Sequence, residues 1–529
     1  MLSLFQNEKT LYKLISLGVL ASILFFVGKI IYAGIIALPY PKELLEPANV
    51  ALTNLFIEGK NPYSVSALSW DVPGINYDYP FLNSLVAALI ARITTCNAVT
   101  AHFILSLASI LVSGYIGILM VGDQAKTMVA PLLAAILFMF CHWRYGYISA
   151  APDDFGLLLF LLTMYAATSN RVKNKPLVCA IGITLCFYTK QYFLFVSVGI
   201  FIYMLLYSRK EALKLLLWTA GLNVVTAIII WYTMPLYFIK TILFTYLGTV
   251  SGGGSEISTF IEQMKYLISL FAALFAILIA AVSITIGKLI RHNKKIRNIL
   301  TVKENNPFAL CCVMTIVMML PLTLIGRNDG AFITYFLQLW MPAIVVIALI
   351  SFERSIPEKH ENSFMIVYIM IAAFTIYFGF GKLPLHILTE DEVANWKKAY
   401  EYTGIYSEKG DIFYSRSLAY DGFARQNGEW MCGHDSEISE GTVDALAEAG
   451  LSPESLYLVQ DLADQNVNYR NSMLKKAEDH EYSLITIDGS DAFSVFNEKY
   501  VEEQGYKCID RLILQLGNMP YELVFFALN

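Results

Sequence analysis

Glu46, the pair Asp153-Asp154, Lys190 and Arg327 each stand at the edge of a long apolar run, where a charge needs a partner or a task. Glu46 opens the stretch Glu46-Pro47-Ala48-Asn49, which continues to Leu55-Phe56 and stops at Glu58-Gly59. Proline suits a first helical turn and glycine the position after a last one. The stretch therefore predicts a short helix with Glu46 at its positive end. A carboxylate fixed there is competent to take a proton from a hydroxyl, and it reads equally as a plain helix cap. Glu43 lies one turn earlier and is the other candidate base.

Asp153-Asp154 follow Pro152 and lead into the apolar run Phe155–Tyr165. Acids in that position either mark the start of a helix or act as ligands, for an acceptor hydroxyl or for a divalent cation. Lys190 sits between Tyr188-Thr189 and Gln191-Tyr192. A lysine is a compact point charge suited to a phosphate oxygen; its other reading is interfacial snorkelling. Arg327 lies in the turn Gly326-Arg327-Asn328-Asp329-Gly330 and could serve the same anion or pair with Asp329. His142 and Arg144 would complete a cationic ring.

The elements that must position these residues are membrane-spanning. With 56% apolar and 15% charged residues and a mean hydropathy of +0.54, the chain falls outside the soluble class. Apolar runs long enough for about eleven transmembrane helices follow one another through residue 381. The first, Leu14 to Leu38, is too long for a signal-peptide core. Basic loops at Arg171/Lys173/Lys175, Arg209-Lys210 and Arg291 to Arg297 are expected on the cytoplasmic side, with the N-terminus. Alternation then places the 39–80 loop, Asp154, Lys190 and Arg327 on the outer face of the plasma membrane, provided that 81–96 lies in the interface and does not cross.

Beyond residue 382 the composition changes. Short apolar stretches at Ile412–Tyr414, Leu456–Val459, Leu484–Ile487 and Leu512–Leu514 predict strands. They alternate with amphipathic segments at Val443–Ala449 and Phe493–Glu503. The expectation is a small extracytoplasmic α/β domain over 382–529, covering the outer mouth of a transmembrane domain over 1–381. Its acids Asp461, Asp464, Asp488 and Asp491 read as solvated turns. Six of eight cysteines lie in apolar context, and only Cys432 and Cys508 fall in the tail. Ser251-Gly-Gly-Gly-Ser255 lacks the ending of a phosphate-binding loop and reads as a hinge or lid in a long external loop over 235–262. CxxC and HExxH are absent, and nothing points to nucleic acid.

Taken in order, several local patterns resemble the GT-C superfamily of multispanning glycosyltransferases that use polyprenyl-phosphate sugars. They are Glu46 with Gly59-Lys60-Asn61-Pro62-Tyr63, then Tyr77-Asp78-Tyr79-Pro80-Phe81, then Ala151-Pro152-Asp153-Asp154-Phe155-Gly156. Tyr188-Thr189-Lys190-Gln191 and Gly326 through Tyr335 to Pro342 complete the set. The pattern is most similar to bacterial mannosyl- and arabinosyltransferase-like membrane enzymes, although many of those carry Asp where this chain has Glu46.

The resemblance implies transfer of one sugar, hexosyl or pentosyl, from a polyprenyl phosphate to an extracytoplasmic glycan, lipid or protein, with inversion. Glu46 or Glu43 would be the base. Lys190, Arg327, Arg144 and His142 would hold the donor phosphate, while Asp153, Asp154, Asp78, Tyr63 and Tyr335 would meet acceptor or sugar. A divalent cation is a possible cofactor. The alternative is a multispan transporter or lipid flippase.

Overall fold

The computed structural model describes residues 8–42, 46–70, 79–125, 128–142, 148–243, 257–272, 274–276, 278–279, 283, 303–327, 333–355, 387–419, 429, 443, 447–448, 450, 452–489, 495–516 and 519–528. Glu43, Asp78, Arg144, the Ser251–Ser255 stretch, Arg291–Arg297, the apolar residues 364–381, Cys432, Asp491 and the 381/382 domain boundary lie outside the described residues.

The chain is a multipass helical membrane protein. Among the described residues, four helices are long and apolar enough to cross a bilayer: Lys13–Ala37, Ala98–Gly122, Arg209–Thr233 and Pro307–Ile325. Ile333–Leu339 and Met341–Arg354 form a fifth candidate, bent by 49°. The Arg209–Thr233 helix buries only Ala212, Leu215 and Ile230 and exposes Leu217, Val224 and Ile229. An apolar surface that continuous is covered by lipid. Exposed Trp231 and Tyr232 close one end of it, as expected at a headgroup boundary.

Numbering the helices in chain order, α1 is Glu8–Ala37, α2 Glu46–Ile57, α3 Leu82–Thr94, α4 Ala98–Gly122, α5 Val129–Phe140, α6 Asp153–Thr168 and α7 Lys175–Thr189. Helix α2 has the predicted bounds. Gly59 adopts φ +78°, Gly59 N–H donates to Phe56 O (3.2 Å) and Lys60 N–H to Leu55 O (2.8 Å). This double bond pattern around a left-handed glycine satisfies the last carbonyls of the helix. Arg92, on α3, donates to Phe56 O (3.0 Å) and Ile57 O (2.6 Å) and ties the same end to its neighbour. With 13 residues, α3 is about 20 Å long, shorter than a bilayer core.

Small residues bring the helices close where the site lies. A Cβ on Gly156 of α6 would stand 2.2 Å from the Phe193 ring, and one on Gly182 of α7 would stand 2.2 Å from Thr163 Oγ1. The main core, including Phe138, Phe160, Phe193, Met314 and Phe336, fills the space between these helices.

In the tail, β1 (Asp411–Phe413), β2 (Tyr482–Asp488), β3 (Lys507–Leu516) and β4 (Met519–Ala527) form a sheet of order β1-β2-β4-β3. β1 and β2 are parallel, and the other pairings are antiparallel. Alternation along β4 sends Leu523 and Phe525 to one face, against Trp396, and Val524 and Phe526 to the other, against Met473. Trp396 belongs to the helix Glu390–Ser407, which opens with the capping box Thr389/Glu392.

Three expectations are corrected here. Leu456–Val459 is helical, part of Pro453–Glu478, because an apolar run of four fits a helix face as well as a strand. Asp488 is no solvated turn: it ends β2, is 2% exposed and accepts from Ser417 N (3.2 Å) and Ser417 Oγ (2.5 Å). The 235–262 segment is not all open loop, since Phe238–Leu243 forms a π-turn and Ile257 begins another helix.

The tail rests on the first loop. Tyr40, just past α1, stacks on Trp396 with centroids 5.3 Å apart, and Tyr400 donates to Pro39 O at 2.8 Å. Gln465 Nε2 donates to Ala67 O (3.0 Å) and Trp70 O (2.9 Å). Leu236 and Ile239 pack against Val459 and Leu462.

Gly156→Val is expected to force α6 away from Phe193 and cost about 1–3 kcal/mol. Thermal unfolding in detergent should show the loss, and adding Phe193→Ala should recover part of it; equal melting of Gly156→Val and wild type would refute the close approach.

Candidate active site

Glu46 is fully buried, and its carboxylate does not cap its own helix. Oε2 accepts from Lys42 N–H at 2.6 Å and Oε1 from Ala150 N–H at 2.7 Å. The acid thus staples the first loop to the segment that leads into Asp153. Ala150 O in turn accepts from Asn83 Nδ2 of α3 at 3.3 Å. Asn49 O receives Thr53 Oγ1 (2.8 Å) and Ser84 Oγ (3.3 Å), while Thr53 Oγ1 meets His102 Nε2 of α4 at 2.7 Å. A polar net therefore fixes α2, α3, α4 and the 149–151 segment to one another.

Asp153 and Asp154, adjacent in sequence, join different networks. Both are first-turn residues of α6 and both are nearly fully buried. Asp154 is bonded to Ser106 Oγ and lies 3.0 Å from His142 Nδ1. His142, expected among the phosphate-binding cations, is thus paired with a carboxylate, and its buried Nε2 has no hydrogen-bond partner.

Asp153 faces the other way. Lys190 Nζ donates to Asp153 Oδ1 at 2.9 Å and to Oδ2 at 2.8 Å, and Tyr192 OH lies 3.0 Å from Oδ1. Three aromatic rings surround the ammonium, with centroids 4.5 Å (Tyr79), 5.0 Å (Tyr192) and 5.7 Å (Tyr335) from Nζ. Ring faces and a carboxylate together offset the desolvation of a buried cation. Tyr192 OH also contacts Gln338 Oε1, while Gln338 Nε2 is left without a hydrogen bond. Turning that amide over lets one hydroxyl proton serve both contacts: Gln338 donates to Tyr192, and Tyr192 donates to Asp153.

Tyr63 is fully buried in an aromatic wall with Phe81, Tyr188 and Tyr237, 5.6 Å from the Tyr237 ring and edge-on to it. Its carbonyl accepts from Leu236 N–H at 2.9 Å. Arg327 is half-buried with an unpartnered Nε, and it joins none of these networks among the described residues.

Lys240 was not foreseen. It is 1% exposed in the Phe238–Leu243 turn and donates to Pro62 O at 3.3 Å, holding the Asn61-Pro62-Tyr63 turn in place. An isolated lysine inside the apolar run Leu236–Leu243 was the available signal, the same one that singled out Lys190. Ser106 and Tyr192 were also missed as site groups; the spacing Ser106, Ser109, Ser113 on α4 marks a polar helix face.

Among the described residues no three of His, Cys, Asp and Glu converge as metal ligands, and Glu46, Asp153 and Asp154 are each already bonded elsewhere. A cleft of about 770 Å³ opens between the first loop and the tail. Trp70 and Leu68 line one wall, and Asp461, Asp464, Asn468 and Tyr469 the other.

No protein-family model matches the sequence, and no curated protein sequence matches it either. Solved structures do. ArnT from Cupriavidus metallidurans in the apo state superimposes with a TM-score of 0.56 at 10% identity, over 95% of this chain and 97% of that one. The same protein bound to undecaprenyl phosphate gives 0.52 at 9% identity, over 96% and 97%. An oligosaccharyltransferase from Archaeoglobus fulgidus is similar more loosely, with a TM-score of 0.48 at 8% identity, over 88% of this chain and 69% of that one. At these identities the likeness concerns the fold. The chain shares the fold of ArnT, a multipass helical domain followed by a small domain with a sheet.

Proposed function

We propose that the protein is a glycosyltransferase that moves a sugar from a polyprenyl phosphate to an acceptor at the outer face of the membrane. The observation that carries this reading is the buried Lys190, ringed by Tyr79, Tyr192 and Tyr335 and held by Asp153 beside the first loop. The shared fold supports it, since ArnT has been seen with undecaprenyl phosphate bound. The charges also sit where an enzyme needs them. Asp153 and Asp154 begin α6, and Lys190 follows the last residue of α7, so neither helix carries its charge at mid-length.

In this reading Lys190 holds the departing phosphate, with Arg327, which follows Gly326 at the end of the Pro307–Ile325 helix, as a second cation. Because a phosphate is already a good leaving group, no general acid is required. Glu46 takes the proton of the acceptor hydroxyl. Its two backbone bonds fix the carboxylate's direction, and each oxygen keeps a second lone pair. The acceptor attacks the anomeric carbon opposite the phosphate, the C–O bond to phosphate breaks, and configuration inverts. The tail and the Trp70 cleft frame the acceptor's approach.

An in-vitro assay with a panel of polyprenyl-phosphate sugars tests the reading. Transfer of one sugar to an added acceptor is expected; donor uptake or translocation with no covalent product would replace it with the transporter reading. Glu46→Gln should lower turnover by about 10²–10⁴-fold while undecaprenyl phosphate still binds. Loss of folding and binding together would make Glu46 an anchor only.

Removing the tail after Lys382 is expected to impair transfer to the natural acceptor and to leave undecaprenyl phosphate binding measurable. A truncated protein that inserts and glycosylates at the full rate would refute the covering role.

A further inference from the structure

Resting on that reading, we propose that Asp153 is a built-in competitor for the donor phosphate: it occupies Lys190 until the phosphate displaces it. Its two oxygens lie 2.9 and 2.8 Å from Nζ, a carboxylate presented to the ammonium as the paired oxygens of a phosphate would be. The pair is nearly sealed, with side chains only 4% exposed on each partner. An ammonium buried to that degree without an anion would be costly, so the donor-free protein must supply one. Asp153 does so from the first position of α6.

The carboxylate also has somewhere to go. It stands at a helix N-terminus, whose dipole favours an anion, and Tyr192 OH holds it independently of Lys190. Displacement therefore exchanges one anion for another at Lys190 and leaves Asp153 solvated by protein. An uncharged polyprenol cannot drive the exchange, so the latch makes entry selective for the phosphorylated lipid. The aromatic rings keep Nζ in place through the exchange, because their attraction does not depend on which anion is present.

Binding of undecaprenyl phosphate to the detergent-solubilised full chain tests the proposal. Asp153→Asn removes the competing charge and is expected to tighten binding by about tenfold, the equivalent of about 1.4 kcal/mol. A residue that merely supported the site would weaken binding when changed, the opposite sign. The gain should vanish in Asp153→Asn/Lys190→Ala. Undecaprenol should bind wild type and variant alike.

Unchanged or weaker binding by folded Asp153→Asn overturns the latch, while loss of binding in Lys190→Ala alone would leave the phosphate site standing. If wild type fails to bind undecaprenyl phosphate, the functional reading itself falls. Should Asp153→Asn not fold, infrared difference spectra of the wild type decide. Undecaprenyl phosphate should shift a carboxylate stretch, and no shift overturns the proposal.

Discussion

A lysine ammonium taken out of water at the margin of a membrane requires an anion within hydrogen-bond reach, and Lys190 finds it in Asp153. Much of the surrounding architecture serves that requirement. The carboxylate must come from another helix, so α6 and α7 must approach closely. Gly156 against Phe193 and Gly182 against Thr163 permit the approach, since any side chain at either glycine would collide. The aromatic rings of Tyr79, Tyr192 and Tyr335 then close around the ammonium, drawing the end of the first loop and the bent helix pair to the same point.

A second constraint is the first loop itself. A loop this polar, lying between apolar segments, must find hydrogen bonds for its backbone wherever it leaves water. Hydrogen bonds tie it to distant positions, two through its own side chains and one through a distant lysine. Glu46 accepts from Ala150 N–H, Asn61 Nδ2 donates to Thr233 O (2.9 Å), and Lys240 donates to Pro62 O. The loop is consequently a structural wall of the site. The tail rests on this loop, held at one end by the Tyr40–Trp396 stack and at the other by Gln465 on the Ala67–Trp70 turn.

Several of these features were readable along the chain because their causes are local. Pro47 after Glu46 and Gly59 after Glu58 bracket α2, and glycine alone takes the positive φ of its terminus without strain. The apolar runs at 98–122 and 307–325 declare membrane helices by length, and Asp153-Asp154 declare the start of α6 by charge. Strands β1, β2 and β3 were visible as short apolar stretches. β4 was not: its Leu523–Ala527 run is apolar without a break, since both faces of the sheet are covered.

What only the tertiary structure decided is the pairing of charges. Sequence placed two aspartates side by side and suggested a shared task, yet one turns to Lys190 and the other to His142 and Ser106, because successive residues on a helix point about 100° apart. Asp488 looked solvated until its partner, Ser417, arrived from 71 residues away. Lys240 looked like part of an open loop until Pro62 met it across 178 residues. The sequence by itself determined which residues carry charge at the membrane boundary and which helices bring them there. Which charge neutralises which is a matter of a few ångströms between helices, and that distance is set by packing, which no local pattern encodes.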